Sequence, residues 1–197
     1  MALVQLPTVQ GSIVSIPDGE HLVHMQFRRF AACPVCNVHI RAFVRRYDEV
    51  VAAGVREVVV FYSDTKTTFK LQAHLPFSAI ADPGKELYTK FGASRRSSFL
   101  RAYDLRLMPS TWSGAFRELI RGDPLPVAIG NREDKRGLPS EFLISPDGRV
   151  LAVKYGKALN DHWSVDEVLE LASKESVRRV LSAKEGGSDS SLGSSRD

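Results

Sequence analysis

The sequence lacks several features that would assign it to a particular class. Its 197 residues include only two cysteines, too few for the disulfide framework of a small secreted protein. No apolar run approaches the roughly eighteen residues that cross a bilayer. The first residues, MALVQLPTVQGSIVSIPDGEH, do not combine the basic and apolar regions of a signal peptide. We therefore expect a cytoplasmic protein with no membrane contact.

A strong charge of one sign is also missing. The formal net charge is only +4, and the chain has neither a basic stripe interleaved with aromatic residues nor a glycine-rich phosphate loop. Nucleic-acid and nucleotide binding proteins typically show these features, so the sequence predicts no nucleic-acid partner. With 43% hydrophobic and 25% charged residues, the composition is typical of a globular domain.

Apolar runs of strand length alternate with helical patterns along the chain. Strands are predicted at 22–27, 55–62, 77–81 and on both sides of a turn at 146–148. Helices are predicted at 34–53, 65–74, 82–92 and after a capping box at 164–167. This order predicts an α/β fold, a thioredoxin-like three-layer sandwich in which a mixed sheet is covered by helices.

The predicted domain spans residues 1–176. Within it, segment 94–132 contains an excess of arginine, with six arginines against two acidic residues between 94 and 121. This insertion is either a lid over an active site or a solvated helical excursion, and we favour the second. Residues 177–197 are predicted to hold the end of the last helix and, from Lys184, a disordered tail rich in serine and glycine.

The two cysteines, Cys33 and Cys36, lie directly after a core strand and directly before a long helix. Pro34 suits the first helical position, which makes Cys33 the N-cap. An N-cap side chain accepts hydrogen bonds from helix amides and is close to the positive end of the helix dipole. We therefore predict that the pKa of Cys33 lies below its ordinary value of about 8.5. In a redox pair, Cys33 would attack and Cys36 would resolve. Arg28 and Arg29, just upstream, could add positive potential to the cysteines, although arginines at a strand end are more often merely solvated.

Two other interpretations of the cysteine pair stay open. A zinc site would need further ligands from His24, His39 and His74, which have no recognisable spacing. The cysteines could also be inert, because free cysteine packs as a small hydrophobic residue. His39, one turn after Cys36, is a candidate proton shuttle, although a histidine at such a position is more often simply exposed.

The segment FRRFAACPVCNVHIRAF resembles the cysteine region of peroxiredoxin-like proteins in the alkyl hydroperoxide reductase/thiol-specific antioxidant superfamily. LPTVQGSIVSIPD is similar to their N-terminal β-hairpin extension, LPFSAIADPGKELYTKFG to their strand-helix segment and LPSEFLISPDGRVLAVKYG to the closing hairpin of thioredoxin folds. The resemblance covers residues 6–172. It implies a thiol-disulfide oxidoreductase with an antioxidant role and no metal or organic cofactor. It also implies a thioredoxin or glutathione system as reductant, a disulfide or peroxide substrate, and a homodimer.

The resemblance also assigns a substrate groove to Pro139, Phe30 and Pro34, with Pro139 at the place of a cis-proline. Relatives that reduce peroxide carry Thr or Ser where this chain has Phe30, so robust peroxide reduction is not expected. Thioredoxins have a buried aspartate where this chain has Phe27, which leaves His39 as the nearest proton-transfer group. The alternative function is a non-catalytic binding or redox-sensing module with the same fold.

Overall fold

The protein is described by a computed structural model, which covers residues 2–94 and 137–188. The predicted insertion at 94–132 therefore lies outside the described residues, apart from residue 94. The elements are β1 (Val4–Pro7), β2 (Ile13–Ile16), β3 (Leu22–Phe27), α1 (Pro34–Arg45), α2 (Tyr47–Ala52), β4 (Val55–Phe61), α3 (Thr65–Gln72), β5 (Ser78–Ala81), α4 (Glu86–Lys90), β6 (Ser140–Ile144), β7 (Val150–Tyr155) and α5 (Val165–Ser188). None of the described helices is both long and apolar enough to cross a membrane.

The central sheet has five strands in the order β5-β4-β3-β6-β7. Strands β3, β4 and β5 run parallel to one another, whereas β6 is antiparallel to β3 and β7 is antiparallel to β6. The short strands β1 and β2 form a separate antiparallel hairpin. The predicted mixed sheet and the predicted N-terminal hairpin are both confirmed.

Strand β3 lies at the middle of the sheet and is buried on both faces. Val23, Met25 and Phe27 pack with residues of β2 and α4 on one face. On the other face Leu22 packs with residues of α1 and α5. Because alternate residues of a strand point to opposite faces, the polar His24 and Gln26 share the second face with Leu22. Two helical layers thus enclose the sheet, as predicted.

Two helix boundaries differ from the sequence prediction. The helix predicted at 34–53 is interrupted at Arg46, whose backbone is non-helical at φ −116° and ψ 25°, so α1 and α2 are separate. The last helix begins at the predicted capping box, in which Ser164 and Glu167 bond to each other's backbone amides. It continues to Ser188, past Lys184, where disorder was predicted. Extending an existing helix needs no new nucleus, which explains the longer helix.

Gly156, at the end of β7, provides a sharp stability test. Its N–H donates to the Pro139 carbonyl at 2.9 Å, and a Cβ at this position would lie 2.6 Å from Pro139 Cγ and 2.8 Å from the Asp161 carbonyl oxygen. We expect Gly156→Ala to reduce the free energy of unfolding by about 1–3 kcal/mol, because the crowding backbone cannot move aside easily. Urea unfolding measures this change.

Gly84→Ala is the matched control for this substitution. A Cβ at Gly84 would meet only the Glu86 side chain, at 3.6 Å or more, and alanine restricts the unfolded chain. The control should therefore be neutral or slightly stabilising. Equal free energies of unfolding for the two variants would contradict the close packing of Gly156.

Candidate active site

Cys33 and Cys36 lie at the junction between β3 and α1, as the sequence predicts. Cys33 is the N-cap of α1 with extended backbone angles, and Pro34 occupies the first helical position. The amide of Cys36 donates to Cys33 Sγ at 3.3 Å. Both cysteines are free thiols, and both are buried, with exposed fractions of 0% and 1%. The structure therefore places a dithiol in the core at a helix N-terminus.

Three polar side chains that were not predicted from the sequence hold the loop that carries Cys33. Asn37 donates to the carbonyl oxygens of Ala31 and Cys33, at 2.9 Å each. Gln72 donates to the Ala31 carbonyl at 2.6 Å, and the Ser63 hydroxyl accepts from the Ala31 amide at 2.9 Å. These bonds satisfy buried backbone groups and fix the position of the first thiol.

Arg29 supplies a positive charge directly to the thiols. Its Nη2 donates to Cys33 Sγ at 2.8 Å, and the residue is only 6% exposed. Of the two possibilities for Arg29, the contact fits added positive potential at the cysteines, and the solvated side chain, favoured from the sequence, is wrong. The backbone continues the pairing of β3 with β4, since Arg28 N donates to Val60 O and Tyr62 N to Arg29 O. Strand alternation consequently directs Arg29 to the face with the thiols.

The two thiols ionise as a coupled pair. Burial opposes ionisation of Cys36, but its hydrogen bond with Cys33 and the charge of Arg29 lower the pKa of Cys36 to about 5. Burial and the interaction with Cys36 raise the pKa of Cys33 well above its ordinary value, against the effect of Arg29. The predicted lowering at Cys33 is therefore wrong. The pair releases its first proton easily and retains the second, so it carries one negative charge at neutral pH.

The residues of the predicted groove have different surroundings. Phe30 is buried, with the Arg29 guanidinium carbon 5.6 Å from its ring centroid, and Pro34 is half-buried at the helix start. Within the described residues the only cis peptide bond precedes Pro17, so the expected cis-proline at Pro139 is wrong. The backbone preceding β6 approaches the site instead at Gly137, where a Cβ would lie 3.4 Å from Arg29 Cγ.

His39, the candidate proton shuttle, lies in a polar cluster. Its Nε2 lies 3.7 Å from Glu141 Oε1, and its ring stacks on His162 with centroids 4.4 Å apart. Arg28 donates to Glu141 at 2.5 Å and contacts His162 Nδ1. We call this group the arginine–histidine cluster; its members are Arg28, His39, Glu141 and His162. The structure therefore gives His39 polar neighbours other than the thiols.

The zinc site considered from the sequence does not assemble around the cysteines. His24 Nδ1 lies 3.0 Å from the buried carboxylate of Glu57, and His74 is exposed on the surface. The rings of His24 and His39 both pack on Phe43, with centroid distances of 5.3 and 5.1 Å. The cysteine pair is therefore a dithiol without histidine ligands among the described residues.

Comparison with known proteins identifies one family. Residues 2–153 match the model of the AhpC/TSA family, which is more than half of the chain. No curated protein matches the sequence significantly.

Several solved structures share the fold at low sequence identity. Peroxidoxin BcpB from Mycobacterium tuberculosis has a TM-score of 0.61 at 14% identity, covering 88% of this chain and 94% of that one. The bacterioferritin comigratory protein of Xanthomonas campestris has a TM-score of 0.61 at 15% identity, covering 87% and 91%. A putative thiol:disulfide interchange protein DsbE from Chlorobium tepidum has a TM-score of 0.54 at 18% identity, covering 87% and 93%. At these identities the likeness concerns the fold alone.

The contact between Arg29 and the thiols predicts a specific titration result. Arg29→Gln removes the cation that favours the thiolate, so the lower pKa of the pair should rise from about 5 by roughly 1–3 units. Ultraviolet absorbance of the thiolate as a function of pH measures this change. Arg178→Gln, on an exposed part of α5, is the control and should leave the titration unchanged. An unchanged curve for Arg29→Gln would show that the guanidinium does not stabilise the anion.

Proposed function

The chain belongs to the AhpC/TSA family, and from this membership we propose that it is a thiol-disulfide oxidoreductase that uses Cys33 and Cys36. The observation that carries the proposal is the contact of Arg29 with a buried dithiol at the N-terminus of α1. A thiolate is the form of cysteine that attacks disulfides and peroxides. A pair that holds one negative charge at neutral pH is therefore a nucleophile ready to react.

We assign the attack to Cys33 and the resolving step to Cys36. The Sγ of Cys33 accepts from both Arg29 and the amide of Cys36, and both contacts stabilise negative charge at that atom. The two thiols share one proton, and this proton moves to Cys36 as the substrate approaches Cys33. This transfer within the pair supplies the proton acceptor that thioredoxins obtain from a buried aspartate.

The reaction then proceeds in two exchanges that balance electrons and protons. The Cys33 thiolate attacks one sulfur of a disulfide substrate, forming a mixed disulfide and releasing the other sulfur as a thiolate. Cys36 gives its proton to the released thiolate and attacks Cys33, which closes an intramolecular disulfide and releases the second half of the substrate. A thiol reductant, such as a thioredoxin or glutathione system, restores the dithiol by the reverse exchange. With a peroxide, the first product is instead a sulfenic acid at Cys33 and an alcohol or water.

Phe30 bears on the choice between these substrates. It lies three residues before Cys33, it is buried, and its side chain offers no hydroxyl to bind a peroxide oxygen. This absence favours a disulfide as the substrate. The proposal needs no metal or organic cofactor, since the two sulfurs carry the electrons. A homodimer and a cytoplasmic location stay predictions.

The assignment of roles is tested by trapping the intermediate. After mixing with a small aromatic disulfide, Cys36→Ser should accumulate the mixed disulfide at Cys33, because the resolving thiol is missing. Cys33→Ser should abolish the exchange, and the wild-type chain should form the intramolecular disulfide. Mass spectrometry of quenched samples distinguishes the three products.

Two results would contradict the proposal. Exchange by Cys33→Ser at the wild-type rate would reverse the roles, and a wild-type rate no faster than that of free glutathione would exclude an activated pair. Stopped-flow mixing with hydrogen peroxide under the same conditions compares the two substrate classes. We expect oxidation by peroxide to be slower than exchange with the disulfide.

A further inference from the structure

A second buried polar group lies on the opposite face of β3 from the thiols. The arginine–histidine cluster joins four parts of the fold, namely the end of β3, α1, β6 and the loop before α5. Arg28 and Glu141 are each 1% exposed, and the side chains of His39 and His162 are 15% and 4% exposed. Ionisable groups are seldom buried to this extent, so the cluster calls for a physical explanation.

The contacts of the cluster centre on the guanidinium of Arg28 and the carboxylate of Glu141. Arg28 Nη2 donates to Glu141 Oε1 at 2.5 Å, while its Nη1 contacts His162 Nδ1. The amide of Trp163 donates to the other oxygen of Glu141 at 2.5 Å. The carboxylate is therefore already engaged by Arg28 and by the backbone of the loop before α5. The stacked rings of His39 and His162 complete the contact between this loop and α1.

A metal ion is not needed to hold these groups together. His39, Glu141 and His162 place nitrogen and oxygen atoms within 4.8 Å of one another, a spacing that a divalent cation would tolerate. The guanidinium of Arg28, however, already contacts both Glu141 and His162. The positive charge that balances the carboxylate therefore comes from the chain itself, and a metal ion would be repelled by it.

The surroundings of the two imidazoles disfavour a second positive charge. Burial, followed by the charge of Arg28, holds the pKa of both His39 and His162 well below the ordinary value of 6.5. Lys154 of β7 adds a further cation, since its Nζ donates to the His162 carbonyl at 2.8 Å. Among the described residues, the Nε2 atoms of both histidines are buried without a hydrogen-bond partner. A proton on either ring would thus be poorly solvated.

The remaining charged groups around the cluster are already engaged with partners of their own. His24 of β3 faces Glu57 of β4, and Arg29 contacts Cys33. Lys154 also lies 3.4 Å from Asp161 and 3.7 Å from Glu167, so these acids offset Lys154 rather than the imidazoles. The net surroundings of the two rings therefore favour their neutral forms.

We propose that the arginine–histidine cluster is a pH-sensitive switch that holds the loop before α5 against α1 and opens when His39 and His162 take up protons. Helix α1 also carries the thiols, and His39 follows Cys36 by one turn. Opening therefore loosens the helix whose first turn carries the thiols. This conformational change is separate from the proposed exchange reaction, because it requires no chemistry at the thiols.

The direction of the pH effect follows from proton linkage. In the closed form both imidazoles are neutral, whereas in an open form they return to a pKa of about 6.5. The closed form is therefore fully favoured above about pH 6.5. It loses stability as the pH falls below that value, by about tenfold in the opening equilibrium per pH unit for each imidazole.

Amide hydrogen exchange tests the switch on the full-length protein. The exchange rate of the Trp163 amide, which donates to Glu141 in the closed form, is measured by NMR and divided by the rate for an unstructured chain at the same pH. This ratio reports the open fraction and cancels the pH dependence of the exchange chemistry. For the wild type we expect a flat ratio above about pH 6.5 and an increase of up to about 100-fold by about pH 5.5, since two protons are taken up.

Three substitutions separate the cluster from other titrating groups. His39→Gln and His162→Gln should each reduce the increase to about tenfold, because one proton is then taken up. His74→Gln, on the exposed surface, is the matched control and should retain the full increase. A flat wild-type ratio, or a full increase in both cluster variants, would overturn the proposal. So would a chelator that raises the open fraction at neutral pH, since a bound metal would then hold the cluster closed.

A measurement on the wild-type chain keeps the test decisive if a variant does not fold. Nitrogen chemical shifts of the imidazoles, recorded by NMR, report whether each ring is neutral. Both His39 and His162 should be neutral at about pH 6, below the ordinary pKa of histidine. Half-protonation of either ring near pH 6.5 in the closed protein would contradict the switch.

Discussion

A guanidinium buried beside two thiols is the interaction on which the proposed chemistry depends. An arginine in the core needs an anionic partner, because an uncompensated buried charge is costly. Arg29 donates to Cys33 Sγ. Burial would lower the pKa of Arg29, but the negative charge of the thiol pair raises it. The arginine and the thiol pair therefore stabilise each other's charge. This pairing explains how a dithiol with almost no exposed surface can lose a proton at neutral pH.

The alternation of a β-strand distributes two adjacent arginines to two different sites. Arg29 points to the face where Phe27 and the thiols pack, whereas Arg28 points to the face with Gln26 and Glu141. Each guanidinium is thus matched with its own anion across one layer of sheet. The reactive pair and the arginine–histidine cluster are consequences of the same two-residue motif at the end of β3.

The sequence predicted the elements well because their signals are local. Apolar runs marked the bounds of β3, and the Cys-Pro pair at the start of α1 correctly indicated the N-cap. The charged core was not predictable in this way. Arg28 and Glu141 are 113 residues apart, so no local pattern indicates their contact. An arginine at a strand end is also usually solvated. The pKa of Cys33 was predicted from the helix N-terminus alone, which omitted burial and the second thiol.

The pH dependence of the reduction potential of the Cys33–Cys36 couple tests the central claim most directly. If the reduced pair holds one thiolate at neutral pH, reduction of the disulfide consumes one proton with two electrons. The potential should then fall by about 30 mV per pH unit between about pH 6 and 8. A slope of about 59 mV per pH unit would mean that both thiols are protonated in the reduced protein, and it would contradict the stabilisation of a thiolate by Arg29.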